Sequence, residues 1–175
     1  MKVLFVSDIH GNYDNMKKVL QNTPSFDFLI LLGDILSGPD IEGYNPDLLA
    51  DLLNNYTSKI YYVTGNCDLF RMNLLDFYID HDYLIVPIDH HLFFLTHGHL
   101  YSPYEYPNIP FDVFLSGHTH KPVMEEKNGL LFLNPGSITL PRGNSSKSYM
   151  IYEDGVFSLI DLEKNKIIKK ICMKK

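Results

Sequence analysis

The stretch Met1-Lys2-Val3-Leu4-Phe5-Val6-Ser7-Asp8-Ile9-His10-Gly11-Asn12 constrains this chain more than any other. Val3 to Val6 is apolar without alternation, so it reads as a strand covered on both faces. A strand buried in that way ends in a carboxylate and an imidazole only where something satisfies them. Asp8 and His10 lie two residues apart, so an extended backbone would aim both the same way. Gly11 allows a sharp turn directly after them. Such a pair suits a divalent cation. Taken alone, it reads more simply as a surface Asp and His in a loop.

The rest of the chain repeats the pattern. Tyr13, Met16, Val19 and Leu20 recur at helical spacing after Asn12 or Asp14 as a cap, and Pro24-Ser25 ends that helix. Phe26 to Leu32 reads as a second buried strand ending in Gly33-Asp34. After the Gly/Pro-rich loop Ser37 to Gly43, Asn45-Pro46 opens a helix whose apolar face is Leu48, Leu49, Leu52, Leu53 and Tyr56. Lys59 to Thr64 is a third strand, ending in Gly65-Asn66-Cys67-Asp68. The order βαβαβ implies right-handed crossovers and a largely parallel sheet.

The second half is richer in hairpins. Tyr83 to Ile88 and Leu92 to Thr96 flank Asp89-His90-His91, and the latter strand ends in His97-Gly98-His99. Asp112 to Ser116 ends in Gly117-His118-Thr119-His120. Asn128-Gly129 and Asp154-Gly155 are hairpin turns between further strands. The tail Lys164 to Lys175 interleaves lysines with Ile167, Ile168 and Ile171, as a last strand with a solvated face would. The fold expected is α/β: a two-sheet β-sandwich flanked by helices, with residues 1–175 forming one domain.

Five strand ends therefore carry polar groups: Asp8/His10, Asp34, Asn66, His97 and His118/His120. In α/β sheets, binding groups collect at the carboxyl ends of strands, which is a geometric reason to expect them together. Four histidines, two aspartates and an asparagine are too many for one tetrahedral ion and suit two ions sharing a bridge. Asp34, in the middle of the set, is the expected bridge. The mixed nitrogen and oxygen donors favour Mn, Fe, Co, Ni or Zn over Ca or Mg, with Mn the first choice.

Composition narrows the partners. The net charge of −6 argues against a non-specific grip on nucleic acid. No apolar run is long enough to cross a bilayer. The N-terminus enters a strand at once with no signal segment. Cys67 and Cys172 form no disulfide framework, which points to the cytoplasm.

Asp8-Ile9-His10, Gly33-Asp34, Gly65-Asn66-Cys67-Asp68, Leu95-Thr96-His97-Gly98-His99, Ser116-Gly117-His118-Thr119-His120 and Asn134-Pro135-Gly136-Ser137 together resemble the ordered motifs of the calcineurin-like metallophosphoesterases. The resemblance is strongest to the small bacterial YfcE phosphodiesterase branch and covers nearly the whole chain. It implies one ion held by Asp8, His10, Asp34 and His120, and another by Asp34, Asn66, His97 and His118. It implies a metal-dependent phosphodiesterase, with a water or hydroxide bridging the ions as the attacking group. The alternatives are a phosphomonoesterase with the same site and a non-catalytic scaffold, since some proteins of this fold are subunits of larger assemblies. The expected partner is a small phosphate ester.

Many members of the superfamily carry a histidine, assigned as the proton donor to the leaving group, where this chain has Cys67. That leaves Cys67 as a candidate donor or as packing beside the ions, with packing slightly favoured. His99 is a candidate for touching substrate phosphate, with packing or exposure as the other reading. His81, His90 and His91 are expected in exposed loops, Cys172 in the core or at an edge, and Arg142 as an ordinary surface arginine, with a phosphate contact the alternative. The loops Ser37 to Tyr44 and Tyr101 to Pro110 are expected to shape the pocket. The aromatic Tyr101 to Tyr106 segment serves equally as an interface in a homo-oligomer.

Overall fold

Val3, Leu4, Phe5 and Val6 are all fully buried, because the strand they form is covered on both sides. In the computed structural model, which describes residues 1–173, this strand is β1 (Lys2–Val6). It is followed by α1 (Tyr13–Asn22), β2 (Phe28–Leu31), α2 (Pro46–Asn54) and β3 (Ile60–Tyr62). The second half is β4 (Tyr83–Ile88), β5 (His91–Thr96), β6 (Val113–Leu115), β7 (Val123–Lys127), β8 (Leu130–Asn134), β9 (Ser148–Glu153), β10 (Val156–Asp161) and β11 (Lys166–Cys172). Lys174 and Lys175, at the end of the expected tail strand, lie outside the described residues.

The strands form two mixed sheets. One has the order β11-β10-β9-β1-β2-β3, the other β4-β5-β6-β8-β7. β1 pairs in parallel with β2, and β2 with β3. β5 pairs in parallel with β6, and β6 with β8. The parallel strands β1, β2, β3, β5 and β6 are those whose ends carry the polar motifs.

Odd and even positions of β1 serve two cores, which is why the run shows no alternation. Val3 and Phe5 join Ile30, Leu32, Phe93, Leu95, Val113 and Leu115 between the sheets. There the Phe5 and Phe93 rings stack with centroids 6.3 Å apart. Leu4 and Val6 face the other way with Leu29 and Leu31, onto Met16, Val19 and Leu20 of α1 and Leu49 and Leu53 of α2. Each buried Leu or Phe of this kind contributes about 1.5–3 kcal/mol of transfer free energy.

Both helices start on asparagine caps. The Asn12 side chain accepts from Asn15 N–H at 3.0 Å, and that of Asn45 from Leu48 N–H at 3.0 Å. Leu48, expected on the apolar face of α2, is instead 47% exposed, and Leu49, Ala50 and Leu53 take the buried face. A residue adjacent to Leu49 is rotated roughly 100° away around the helix.

Among the described residues, no helix covers the outer face of the second sheet. Phe94, Phe111, Phe114 and Phe132 form a separate aromatic cluster there, with Tyr101 and Tyr83 packed against it. Tyr106 rings lie 5.0 Å from Phe111 and 5.9 Å from Phe114. The loop Tyr101 to Pro110 is thus a cover for this sheet, and none of its residues lines the cleft at the motif-bearing strand ends. The expectation that it shapes the pocket is corrected: Tyr101 and Tyr106 go to the apolar sheet face instead, while Tyr104 stays exposed. His91 opens β5 half-buried beside Asp112, and His81 is half-buried, so only His90 of the three is exposed as expected. Cys172 is exposed on the edge strand β11.

Candidate metal centre

The strands β1, β2, β3 and β6 deliver terminal side chains to one cleft of about 320 Å³, whose lining includes His10, Asp34, Asn66, Cys67, His118 and His120, and β5 places the buried His97 against Asp34 and Asn66. The turns that do this are not extended. Asp8 has φ of 53°, His10 50°, Asp34 54°, His118 64° and His120 58°, all left-handed. The expected reason for the convergence of Asp8 and His10, a shared strand face, is therefore corrected: each side chain is aimed by its own left-handed turn. Asp and His tolerate this region better than most residues, and such conformations concentrate at functional sites.

The turns are locked by close backbone approach and by buried hydrogen bonds. A Cβ on Gly65 would fall 2.2 Å from Asp34 Oδ1, and one on Gly117 1.9 Å from Ser7 Oγ. Ser137 Oγ donates to the Asp8 carbonyl at 2.8 Å, and Asn134 Nδ2 to the Gly117 carbonyl at 2.7 Å. The Asn134-Pro135-Gly136-Ser137 turn thereby ties the first and last ligand loops together.

Asp68 does the same for the middle of the site. It is buried, and its carboxylate accepts from Asp34 N–H (2.8 Å), Ile35 N–H (2.8 Å), Gly65 N–H (2.9 Å) and Tyr62 Oη–H (2.8 Å). Burial pushes its pKa up against the pull of those donors. Asp68 was legible only as part of a motif. Its work is on backbone amides, and residue type alone does not reveal that.

Three histidines share one arrangement. His10 Nδ1 lies 2.8 Å from the Ser37 carbonyl, His97 Nδ1 2.6 Å from that of Leu32, and His120 Nδ1 2.6 Å from that of Leu140. A carbonyl only accepts, so each Nδ1 carries a proton, and in its neutral form each ring turns the Nε2 lone pair inward. One ligand atom each from Asp8, His10, Asp34 and His120 all lie within 4.8 Å of one another, and all four residues are buried. His10 Nε2 and His120 Nε2 are 3.4 Å apart, and His120 Nε2 is 3.2 Å from Asp8 Oδ1. Asp8 Oδ1 is buried with no hydrogen-bond partner. Inward lone pairs around an orphaned carboxylate oxygen are the electrostatic complement of a cation, so these four residues fit a divalent metal ion.

The other expected ligands lie alongside. His97 Nε2 is 3.1 Å from Asn66 Oδ1 and 3.4 Å from Asp34 Oδ1. The His118 ring centroid is 5.1 Å from that of His97. Asp34 Oδ2 is 3.7 Å from His10 Nε2, so the two oxygens of Asp34 face different histidines. All seven sequence-derived ligand positions come together.

The charges are coupled. Burial alone would raise the Asp34 carboxyl, but the hydrogen bond and charge of His97 and the Cys67 amide hold it well below the usual carboxylate range. Burial alone would lower His97 and His120. The carboxylates of Asp34 and Asp8 outweigh it and raise both. His118 and His99 are lowered, by burial first and then by His97. The Cys67 thiol is pushed up to about 12 by burial and by Asp34, Asp68 and Asp8. His99 is exposed, with its ring 5.4 Å from His97 and 6.2 Å from His118.

The sequence matches the model of the calcineurin-like phosphoesterase superfamily domain over residues 1–154. It is 37% identical over 181 aligned residues to the phosphodiesterase YfcE of Escherichia coli, covering 99% of this chain and 98% of that protein. It is 32% identical over 143 residues to the phosphodiesterase MJ0936 of Methanocaldococcus jannaschii, covering 78% and 83%. The solved structure of the E. coli phosphoesterase YfcE superposes with a TM-score of 0.92 at 36% identity, over 99% of this chain and all of that one.

Proposed function

This chain belongs to the calcineurin-like phosphoesterase superfamily and is a phosphoesterase, and from that premise we propose that it hydrolyses small phosphodiesters at a centre of two divalent cations. The observation that carries the two-ion reading is the Asp34 carboxylate, one oxygen of which lies 3.4 Å from His97 Nε2 and the other 3.7 Å from His10 Nε2. Asp8, His10, Asp34 and His120 would hold one ion; Asp34, Asn66, His97 and His118 would hold the other. Mn is the first choice. When bound, such ions supply Lewis acidity, acidifying a shared water for in-line attack on phosphorus and neutralising charge on the phosphoryl oxygens.

The chain's own residues do the rest. Ser37, Leu32 and Leu140 carbonyls hold His10, His97 and His120 in the metal-binding tautomer. Asp8 and Asp34 supply the negative charge that fixes the ions. His99, exposed with its ring 5.4 Å from that of His97, would donate to a phosphoryl oxygen. Cys67 lines the cleft and accepts from Asn66 Nδ2 at 3.3 Å, so we assign it to packing against the Asn66 ligand. No side chain is required as a nucleophile, so no phosphoenzyme forms.

The two sheets bury one apolar layer between them and build the cleft jointly, which supports one domain over residues 1–175. No helix among the described residues is long and apolar enough to cross a membrane. Both cysteines are free thiols, which supports a reducing, cytoplasmic setting.

The test is to strip the protein of metal, reload it with Mn²⁺, count ions per chain and screen phosphodiesters and phosphomonoesters. Close to two ions and preferential diester hydrolysis are expected. Full activity at one ion per chain would sink the two-ion centre. Hydrolysis of monoesters only would make it a phosphomonoesterase, and metal binding without hydrolysis a scaffold.

A further inference from the structure

Arg142 is one of only two arginines in the chain, and the other, Arg71, is paired with Asp47. Arg142 lines the same cleft as the metal-binding residues. Its backbone is tied to the floor of that cleft: the Arg142 N–H donates to the His120 carbonyl at 3.1 Å. The turn is closed behind it by Ser145 Oγ, which donates to the Arg142 carbonyl at 2.7 Å. Its side chain is exposed, whereas Asp8, His10, Asp34 and His120 are 5% exposed or less. Arg142 is therefore a rim residue on a fixed backbone, above a buried metal-binding floor.

A second cation packs along the turn that carries Arg142. A Cβ on Gly143 would lie 3.2 Å from Lys121 Cε, so the Lys121 stem runs along the same turn. Neither Arg142 nor Lys121 has a carboxylate partner among the described residues, although Lys2, Lys18, Arg71, Lys147 and Lys164 all do. The protein carries a net charge of −6, so acidic partners are plentiful. Two unpaired cations carried on one turn favour an oxyanion near them. The arginine fork matches a phosphate or carboxylate in two-point geometry, and lysine adds a point charge.

We propose that Arg142, backed by Lys121, binds a second anionic group of the substrate, carried on its organic half beyond the scissile phosphate. The proposal rests on the phosphodiesterase reading and narrows it: the preferred diesters bear an additional phosphate or carboxylate. The scissile group sits on the floor among the buried ligands, and the additional anion reaches the exposed rim.

The probes are thymidine 5′-monophosphate and thymidine 3′,5′-bisphosphate, titrated calorimetrically into Mn-loaded protein, with their 5′-p-nitrophenyl esters as substrates. The wild type should bind the bisphosphate about tenfold more tightly than the monophosphate, in line with one charge-assisted contact. Arg142→Ala should bring that ratio to within about twofold, with affinity for the monophosphate unchanged, and Arg142→Lys should keep part of it. Equal affinities in the wild type would overturn the proposal. So would an equal weakening of both ligands by Arg142→Ala, which would put Arg142 on the scissile phosphate itself. If neither ester is cleaved, the phosphodiesterase reading fails, while the binding ratios still decide the role of Arg142.

Discussion

Replacing Asp68 by asparagine tests whether the site is held from beneath by one carboxylate. Oδ2 of Asp68 accepts from Asp34 N–H, Gly65 N–H and Tyr62 Oη–H, and Oδ1 accepts from Ile35 N–H. An amide has one acceptor oxygen. If that oxygen takes the Oδ2 place, the NH₂ group confronts the Ile35 N–H donor to donor at a separation now 2.8 Å. The stranded amide costs about 1–3 kcal/mol. The three retained bonds lose their charge assistance, but the neutral side chain also escapes the cost of burying a charge, the cost that raises the Asp68 pKa, and the two offset each other. Asp68→Asn should therefore destabilise the metal-free protein by about 1–3 kcal/mol, a substantial part of the roughly 5–15 kcal/mol of a typical domain. With a urea slope of about 2 kcal/mol/M, the midpoint should fall by roughly 0.5–1.5 M. The same variant should bind Mn²⁺ more weakly, because Asp68 fixes the backbone on either side of the Asp34 carboxylate. A midpoint shift below about 0.5 M, with metal affinity unchanged, would show that the four hydrogen bonds do not hold the site and would refute the reasoning.

Two further outcomes are expected. Asp34→Asn should lower kcat/KM by at least about tenfold to a hundredfold, the range seen for weaker perturbations of metal sites, while His91→Ala stays near wild type; comparable losses in both would mean the site is elsewhere. In metal-free protein, the Asp34–His97 pair also sets a pH window. The raised His97 contributes stability fully present below its ordinary value of 6.5 and lost as pH rises through its folded pKa. The lowered Asp34 contributes stability present above its ordinary value of 3.8 and lost as pH falls through its folded pKa. The stability gap between wild type and Asp34→Asn should thus be widest between about pH 4 and 6.5 and shrink at higher pH. Denaturant midpoints for both proteins across pH 4.5 to 8.5 measure it, and a constant gap would contradict the coupling.

Much of this could be read from residue order alone, for definite reasons. Val3 to Val6 and Phe28 to Leu31 are covered on both faces, so their apolar runs were unbroken and easy to place. The seven candidate ligands were legible because each polar group follows an apolar run at a strand end. What escaped was whatever acts through the backbone. Asp8 and His10 converge by left-handed turns, which a pattern of residue types does not distinguish from strand alternation. Asp68 binds amides of residues 34, 35 and 65, a role set by chain geometry more than by its neighbours in sequence. The destination of the Tyr101 to Pro110 loop was equally hidden, since aromatic side chains suit a pocket wall, an interface or a sheet cover alike. Here the helix-free face of the second sheet supplies the apolar surface that they cover.

The five left-handed turns divide the molecule into parts under different demands. At Asp8, His10, Asp34, His118 and His120 the backbone would be most at ease with glycine, and a side chain there carries a strain of up to about 1–3 kcal/mol. The metal centre proposed for this site asks for the opposite, a donor at every one of them. The apolar layer between the sheets makes neither demand, since most of its residues lie on regular strands. A descendant released from catalysis would therefore change first at these five positions, gaining backbone ease as it lost donors, and its sandwich would survive intact. Architecture and reactivity are encoded in separable residues, so this fold can outlive its chemistry and persist as an inert surface.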